Sequence, residues 1–223
     1  MTGRLGDLEY ARGRERKRYL RYRLLRRAHE VDKAIEEFSE LPVRDIIDLG
    51  TADARMLEII NRKYPGARCV GVELSGDLVE FGKAMFPHLR IIEGDVQSLD
   101  FPDGSFDVAV ATALIEHLPD PGLFMREVKR VLRRGGIFVL TSPDPFWESI
   151  ATRVGHLSKG QHHKVMDLPQ LGRLAEGAGF AVVKAQKFML SPVGMPFESA
   201  VERVLRRLRL DFMLANQLLV CRS

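Results

Sequence analysis

Cysteine is nearly absent: the 223 residues hold two, Cys69 and Cys221, at no metal-ligand or redox spacing. That excludes a disulfide-stapled scaffold or a zinc ribbon and fits a reducing, cytoplasmic setting. Long apolar runs are missing too, and none approaches the roughly 18 residues of a membrane span. Charges fill the first residues, where a signal peptide carries its apolar stretch, and no serine precedes Ser39, so neither a secretory nor a mitochondrial leader is expected. Aromatics are sparse at 8%, while 45% hydrophobic and 29% charged residues make an ordinary globular composition. One large domain with an appendage is the arrangement that this length favours.

What the sequence has in excess is arginine near its start. Residues 10 to 27 hold nine Lys/Arg against one Glu, a local charge of +8, so the rest of the chain carries −4 within a net +4. Tyr10, Tyr19 and Tyr22 are interleaved with these arginines, a pattern that suits an anionic membrane surface or, ranked behind it, nucleic acid. The first reading is plainer. Leu20, Leu24, Ala28, Val31, Ile35 and Phe38 fall at helical spacing, which makes residues 1–42 a basic amphipathic helix that packs on, or lids, a domain of residues 43–223. On this reading the arginines form its solvated flank, and removing residues 1–30 leaves a folded domain.

After Pro42 the pattern alternates. Val43–Leu49, Cys69–Glu73, Leu89–Glu93, Phe106–Thr112 and Ile137–Thr141 read as buried strands, separated by helical segments over Ala54–Tyr64, from Ser75 to Phe86 and over Gly122–Arg133. Strand and helix alternating at this spacing predict a Rossmann-like, doubly wound, mostly parallel sheet. Thr141–Met166 reads as an irregular lid or substrate loop, Leu168–Ala178 as a helix, Phe180–Leu190 and Asn216–Cys221 as strands, and Glu198–Leu208 as an arginine-bearing helix.

Three acids stand at comparable places: Asp48 near the end of the first strand, Glu73 ending the second and Asp95 just after the third. In an open parallel sheet the carboxyl ends of neighbouring strands border one crevice, where ligands bind. An acid after the second strand suits a ribose, because its two oxygens accept from vicinal hydroxyls, and Asp95 suits an adenine amino group.

The motifs Ile46-Ile-Asp-Leu-Gly-Thr-Ala-Asp-Ala54, Val72-Glu-Leu74, Glu93-Gly-Asp-Val96, Ser105-Phe-Asp-Val-Ala-Val110 with Ile115-Glu-His-Leu-Pro119, and Leu132-Arg-Arg-Gly-Gly-Ile-Phe-Val139 resemble, in order and spacing, those of class I S-adenosylmethionine-dependent methyltransferases. The likeness is to the small-molecule, type 11-like branch. It implies a seven-stranded sheet with an antiparallel last strand, S-adenosyl-L-methionine as cofactor, and Asp48, Gly50, Thr51, Ala52, Glu73, Leu74, Asp95, Val96 and Ala111 as cofactor-binding residues. One departure stands out: only Gly50 remains of the glycines usual after the first strand, with Ala52 and Ala54 at the later positions. Each added methyl narrows the approach of the cofactor and disfavours positive φ, so the site is read as modified but competent. Asp53 stands where a pyrophosphate would sit in a dinucleotide-binding dehydrogenase, and suits a cationic cofactor better.

Methyl transfer is an in-line displacement that needs positioning and, where the acceptor must lose a proton, a base. His117, beyond the fourth strand, and His162, on the long loop beside His163, are the candidate catalytic residues. His156, His162 and His163 lack the acid or cysteine that would complete a metal set, so no metal is expected. The reading is a methyltransferase acting on a small-molecule or lipid-like acceptor. Its rivals are a catalytically silent S-adenosylmethionine-binding protein and an RNA methyltransferase. No Asn/Asp-Pro-Pro-Tyr/Phe follows the fourth strand, which disfavours the base-modifying enzymes that use that motif.

Overall fold

A computed structural model describes residues 17–153, 165–191 and 193–223. Seven strands form one sheet in the order β3-β2-β1-β4-β5-β7-β6. They are β1 (Asp45–Leu49), β2 (Arg68–Glu73), β3 (Arg90–Glu93), β4 (Phe106–Thr112), β5 (Leu132–Pro143), β6 (Ala181–Phe188) and β7 (Asn216–Arg222). The pairs from β3 through β5 are parallel, and β7 runs antiparallel to both β5 and β6.

Side chains alternate across the strands and create two apolar layers. Ile47, Leu49, Ala109, Ala111, Phe138 and Leu140 face α4 (Pro121–Val131) and α6 (Leu168–Gly177). Ile46, Val108, Val110, Ile137, Val139 and Val220 face the other way, toward α1 (Arg18–Phe38), α2 (Arg55–Lys63) and α3 (Gly76–Met85). Because both faces are covered, β4 has no polar alternation except Asp107. Asp107 accepts from the amides of Arg44 and Asp45 and from Arg133, and so closes the amino ends of β1 and β4.

The helical stripe packs as its spacing suggests: Leu20, Ala28, Val31 and Ile35 are buried and Leu24 and Phe38 are partly so. Leu20, Val31 and Ile35, each worth about 1.5–3 kcal/mol when fully buried, do most to fix α1 in the layer. The solvated-flank reading holds for Lys17, Arg18 and Arg21, which are exposed, and is corrected for two arginines. Arg26 and Arg27 are buried, Arg26 between Glu30 and Glu202 and Arg27 donating to the side-chain Oδ1 of Asn216, so part of the local +8 is neutralised inside the protein. Glu202 belongs to α7 (Glu198–Arg207), whose two acids face inward.

Two further expectations change. Ser75 precedes α3 but its hydroxyl makes no cap; its backbone amide donates to Glu73 instead. The stretch read as irregular after Thr141 continues β5 to Pro143 and then forms α5 (Pro145–Arg153), opened by Asp144, whose carboxylate accepts from the Phe146 amide and pairs with Lys187.

At the opposite edge, Asp45 pairs with Arg68 and Arg133. Partial burial pushes its carboxyl up, but the hydrogen bonds from Arg133 and Arg68 prevail and hold it below the usual carboxylate range. A lowered pKa stabilises the fold at pH values above the unfolded-state pKa, and that contribution fades as acid titrates the folded group. Asp45→Asn is therefore expected to flatten part of the loss of melting temperature below about pH 4, as read by thermal unfolding across pH. An unchanged acid slope would refute the assignment.

Candidate active site

The strand order reverses between β1 and β4, which opens a crevice at the carboxyl ends of these strands. Its floor is the turn after β1. The amides of Gly50 and Thr51 both donate to the Val72 carbonyl, at 2.9 and 3.1 Å, and the Ala54 amide returns to the Thr51 carbonyl. This tight winding puts Gly50, Ala52 and Ala54 all at positive φ, 69°, 50° and 60°. The two alanines hold the left-handed conformation that glycine adopts freely, at a cost of roughly 1–2 kcal/mol each. Glycine is favoured at position 50 by its positive φ, and a Cβ there would stand 2.6 Å from Leu114 Cδ1, so the Leu114 side chain would have to shift. Ala113, at φ 53°, makes a third left-handed alanine on the same rim. Strain gathered around one crevice is a mark of functional loops.

The three acids differ in setting. Asp48 is buried and accepts from the Thr51 hydroxyl at 2.7 Å, so it braces the turn from within. Glu73 is half-buried and joins the two loops: Oε2 accepts from the Ala52 amide and Oε1 from the Ser75 amide, both at 3.0 Å. A carboxylate offers about four lone-pair sites, so each oxygen keeps one for a ligand hydroxyl. Asp95 is exposed; Oδ1 accepts from the Gln97 amide at 2.8 Å. Leu74, 70% exposed beside Glu73, is an apolar surface that the flat face of an adenine would cover.

Other predicted residues sit differently. Thr51 and Val96 are buried, and the Ala111 methyl is turned into the core, so Ala111 offers the crevice no side chain. Asp53, expected to suit a cationic cofactor, is fully buried and pairs with Arg55. His117 ends a 3-10 turn, Ile115–His117, just beyond β4 and is exposed at the rim. His162, with His156 and His163, lies outside the described residues.

Residues that the motifs did not single out include Leu114, which roofs Gly50, and Ser75, whose amide fixes Glu73. The close spacing of Glu73 and Ser75 was the available signal. Both cysteines are buried, and burial raises their thiols, Cys69 to about 11 and Cys221 to about 12, so neither is a thiolate near neutrality. A groove of about 200 Å³ between α1 and α2, lined by Leu25, Ile35, Ile59 and Tyr64, holds none of the crevice residues.

A family model for a methyltransferase domain matches residues 16–185. A probable S-adenosylmethionine-dependent methyltransferase of Mycolicibacterium smegmatis is 30% identical over 141 residues, covering 62% of this chain and 52% of that protein. A 2-methyl-6-phytyl-1,4-hydroquinone methyltransferase of Synechocystis is 29% identical over 124 residues, 50% of this chain and 39% of its own length. Among solved structures, a SAM-dependent methyltransferase of Thermotoga maritima shares the fold, with a TM-score of 0.70 at 19% identity over 96% of this chain and 94% of that one. The chain spans about half or less of the length of the first curated relatives it matches.

Proposed function

The chain belongs to the S-adenosylmethionine-dependent methyltransferase family, and from that membership we propose that it methylates a small-molecule or lipid-like acceptor at the carboxyl edge of its sheet. The observation that carries the reading is the Glu73 carboxylate, held by one amide from each of two loops with acceptor capacity left over. S-adenosyl-L-methionine, when bound, supplies a sulfonium methyl carbon open to in-line attack. Glu73 would accept from the ribose hydroxyls, Asp95 from the adenine amino group, and Leu74 would cover the ring. The turn from Gly50 to Ala54 is left-handed at three positions; of its two alanine methyls only that of Ala52 is partly exposed, that of Ala54 being buried in the core, so the approach of a cofactor would be narrowed at Ala52 alone.

His117, exposed at the rim of the same crevice, is the described side chain suited to take a proton from the acceptor. The name of the Synechocystis relative supports a lipid-like acceptor, as does the apolar surface described below. A cytoplasmic location belongs to the same proposal; among the described residues, no helix is long and apolar enough to cross a membrane.

Incubation with methyl-labelled cofactor and a panel of phenols, amines, carboxylates and prenylated quinols tests the reading. Labelled product is expected from at least one acceptor. His117→Ala should lower that rate about a hundredfold and leave cofactor affinity unchanged. Tight cofactor binding without turnover on any acceptor would instead mark a silent binding protein. A full rate in His117→Ala would show that positioning alone drives transfer.

A further inference from the structure

The connection from β6 to β7 is unlike the rest of the surface. Phe188, at the end of β6, and Asn216, at the start of β7, pair with each other, and Asn216 also pairs with Pro143 at the carboxyl end of β5. The connection between them therefore starts and ends at the same edge as the crevice. Three strand spacings separate β1 from β7, about 14 Å.

Seven of the twelve exposed large apolar side chains among the described residues lie between Val193 and Phe212. Phe197 is 85% exposed, Leu208 63%, Phe212 54% and Val204 52%. The Trp147 indole N–H donates to the Phe212 carbonyl, which brings exposed Phe146 to the same surface. An exposed apolar cluster of this extent on one connection marks a binding surface.

The charges are sorted in an unusual way. A helix of a soluble domain ordinarily turns its apolar side inward and its charges out. In α7 the acids are inside: Glu198 accepts from the Tyr22 hydroxyl and the Ser191 amide, and Glu202 accepts from Arg26, Arg206 and the Met189 amide. Arg203, Arg207 and Arg209 are exposed beside Val204 and Leu208, and no acid between residues 193 and 212 is exposed. The outward face is thus apolar and predominantly cationic, with half-buried Asp211 its one partly accessible acid. Met189, Phe197 and Arg209 also hold positive φ. Phe197 opens α7, where its carbonyl accepts from the Ala200 and Val201 amides, and this left-handed start leaves its ring facing solvent.

We infer that this face, from Val193 to Phe212, docks on an anionic lipid surface and sets the crevice mouth against it. Phe197, Leu208 and Phe212 would enter the boundary between headgroups and acyl chains, while Arg203, Arg207 and Arg209 meet lipid phosphates. A second copy of the chain fits worse: a two-fold contact lays the same patch on itself, arginine against arginine, with no exposed acid to answer them. Tyr22 and Arg26 of the basic stretch 10–27 pack against the inner side of this connection, through Glu198 and Glu202, and do not belong to its outward face. The docking surface bears on the acceptor reading because a lipid-like acceptor would then reach the crevice from the bilayer.

Cosedimentation of the full chain with phosphatidylcholine vesicles, with and without phosphatidylglycerol, tests the inference. Binding is expected only to the anionic vesicles, weakening as salt is raised. Phe197→Ser/Leu208→Ser and Arg203→Gln/Arg207→Gln should each lower it about tenfold or more at unchanged melting temperature. Three outcomes would overturn the proposal: no vesicle binding; binding that survives both pairs and is lost in Arg12→Gln/Arg14→Gln/Arg16→Gln; or self-association abolished by Phe197→Ser without vesicle binding. Calorimetry of S-adenosylhomocysteine on the same variants should be unchanged, so this claim and the cofactor reading fail separately.

Discussion

Arg26→Met is expected to destabilise the protein by about 3–5 kcal/mol, a fall in melting temperature of roughly 6–20 °C for a domain of this size. Arg26 lies between Glu30 on its own helix and Glu202 on α7, 2.7 Å from the latter, with its guanidinium over the Phe188 ring. Glu202 is 1% exposed. Without the arginine, two carboxylates remain in a space that water reaches poorly, and Arg206, 3.5 Å from Glu202, is too far to compensate fully. The penalty comes from the stranded charge rather than from the worth of the pair, so Arg26→Met/Glu202→Leu should recover much of the loss. A change below about 1 kcal/mol in the single variant, or no recovery in the double, would mean that the network is not what joins α1 to α7.

The second large effect is on ligand binding. Glu73→Ala should weaken S-adenosylhomocysteine by about 1–3 kcal/mol, roughly 5- to 150-fold in Kd. Two hydrogen bonds to the ribose would be lost. The Ala52 and Ser75 amides would also lose their acceptor, and with it the tie that holds the turn after β1 against the end of β2. Glu73→Gln separates these contributions, because an amide group must present its NH2 to one of the two backbone donors. It should bind less tightly than the parent despite its equal size. A Glu73→Ala protein whose affinity stayed within about twofold would contradict the ribose assignment.

Most strands were legible in the sequence because a parallel sheet covered on both faces writes itself as short apolar runs: Phe106–Thr112 begins and ends where its pattern does. The crevice acids were legible for a related reason, since each stands where its run stops. Their different settings were not. Asp48 turns under the loop to meet Thr51, and Asp53 turns inward to Arg55, and neither direction follows from spacing alone. The helix Pro145–Arg153 was missed because it begins with a proline beside aromatics and is organised by Asp144 and by the Trp147 contact to a distant turn.

The inward acids of α7 escaped for the most physical reason. Amphipathic reasoning assigns charge to water, but Glu198 and Glu202 are four residues apart, share one helix face and are buried by partners 176 residues earlier in the chain, Tyr22 and Arg26. The same contacts argue against the expectation that a chain without residues 1–30 stays folded. Their removal would strip Leu20, Arg26, Ala28 and Glu30 from the interior and expose α7 and the sheet beneath, so a truncated chain should fold poorly.

The central claim is that the crevice at the ends of β1, β2 and β3 holds S-adenosylmethionine although alanines stand at two glycine positions. Isothermal titration of the purified full chain with S-adenosylhomocysteine tests it most directly. The account predicts one saturable site per chain, weakened by Glu73→Ala and kept or strengthened by Ala52→Gly, which relieves the left-handed strain in the same turn. No heat of binding from the parent protein at millimolar ligand would contradict it.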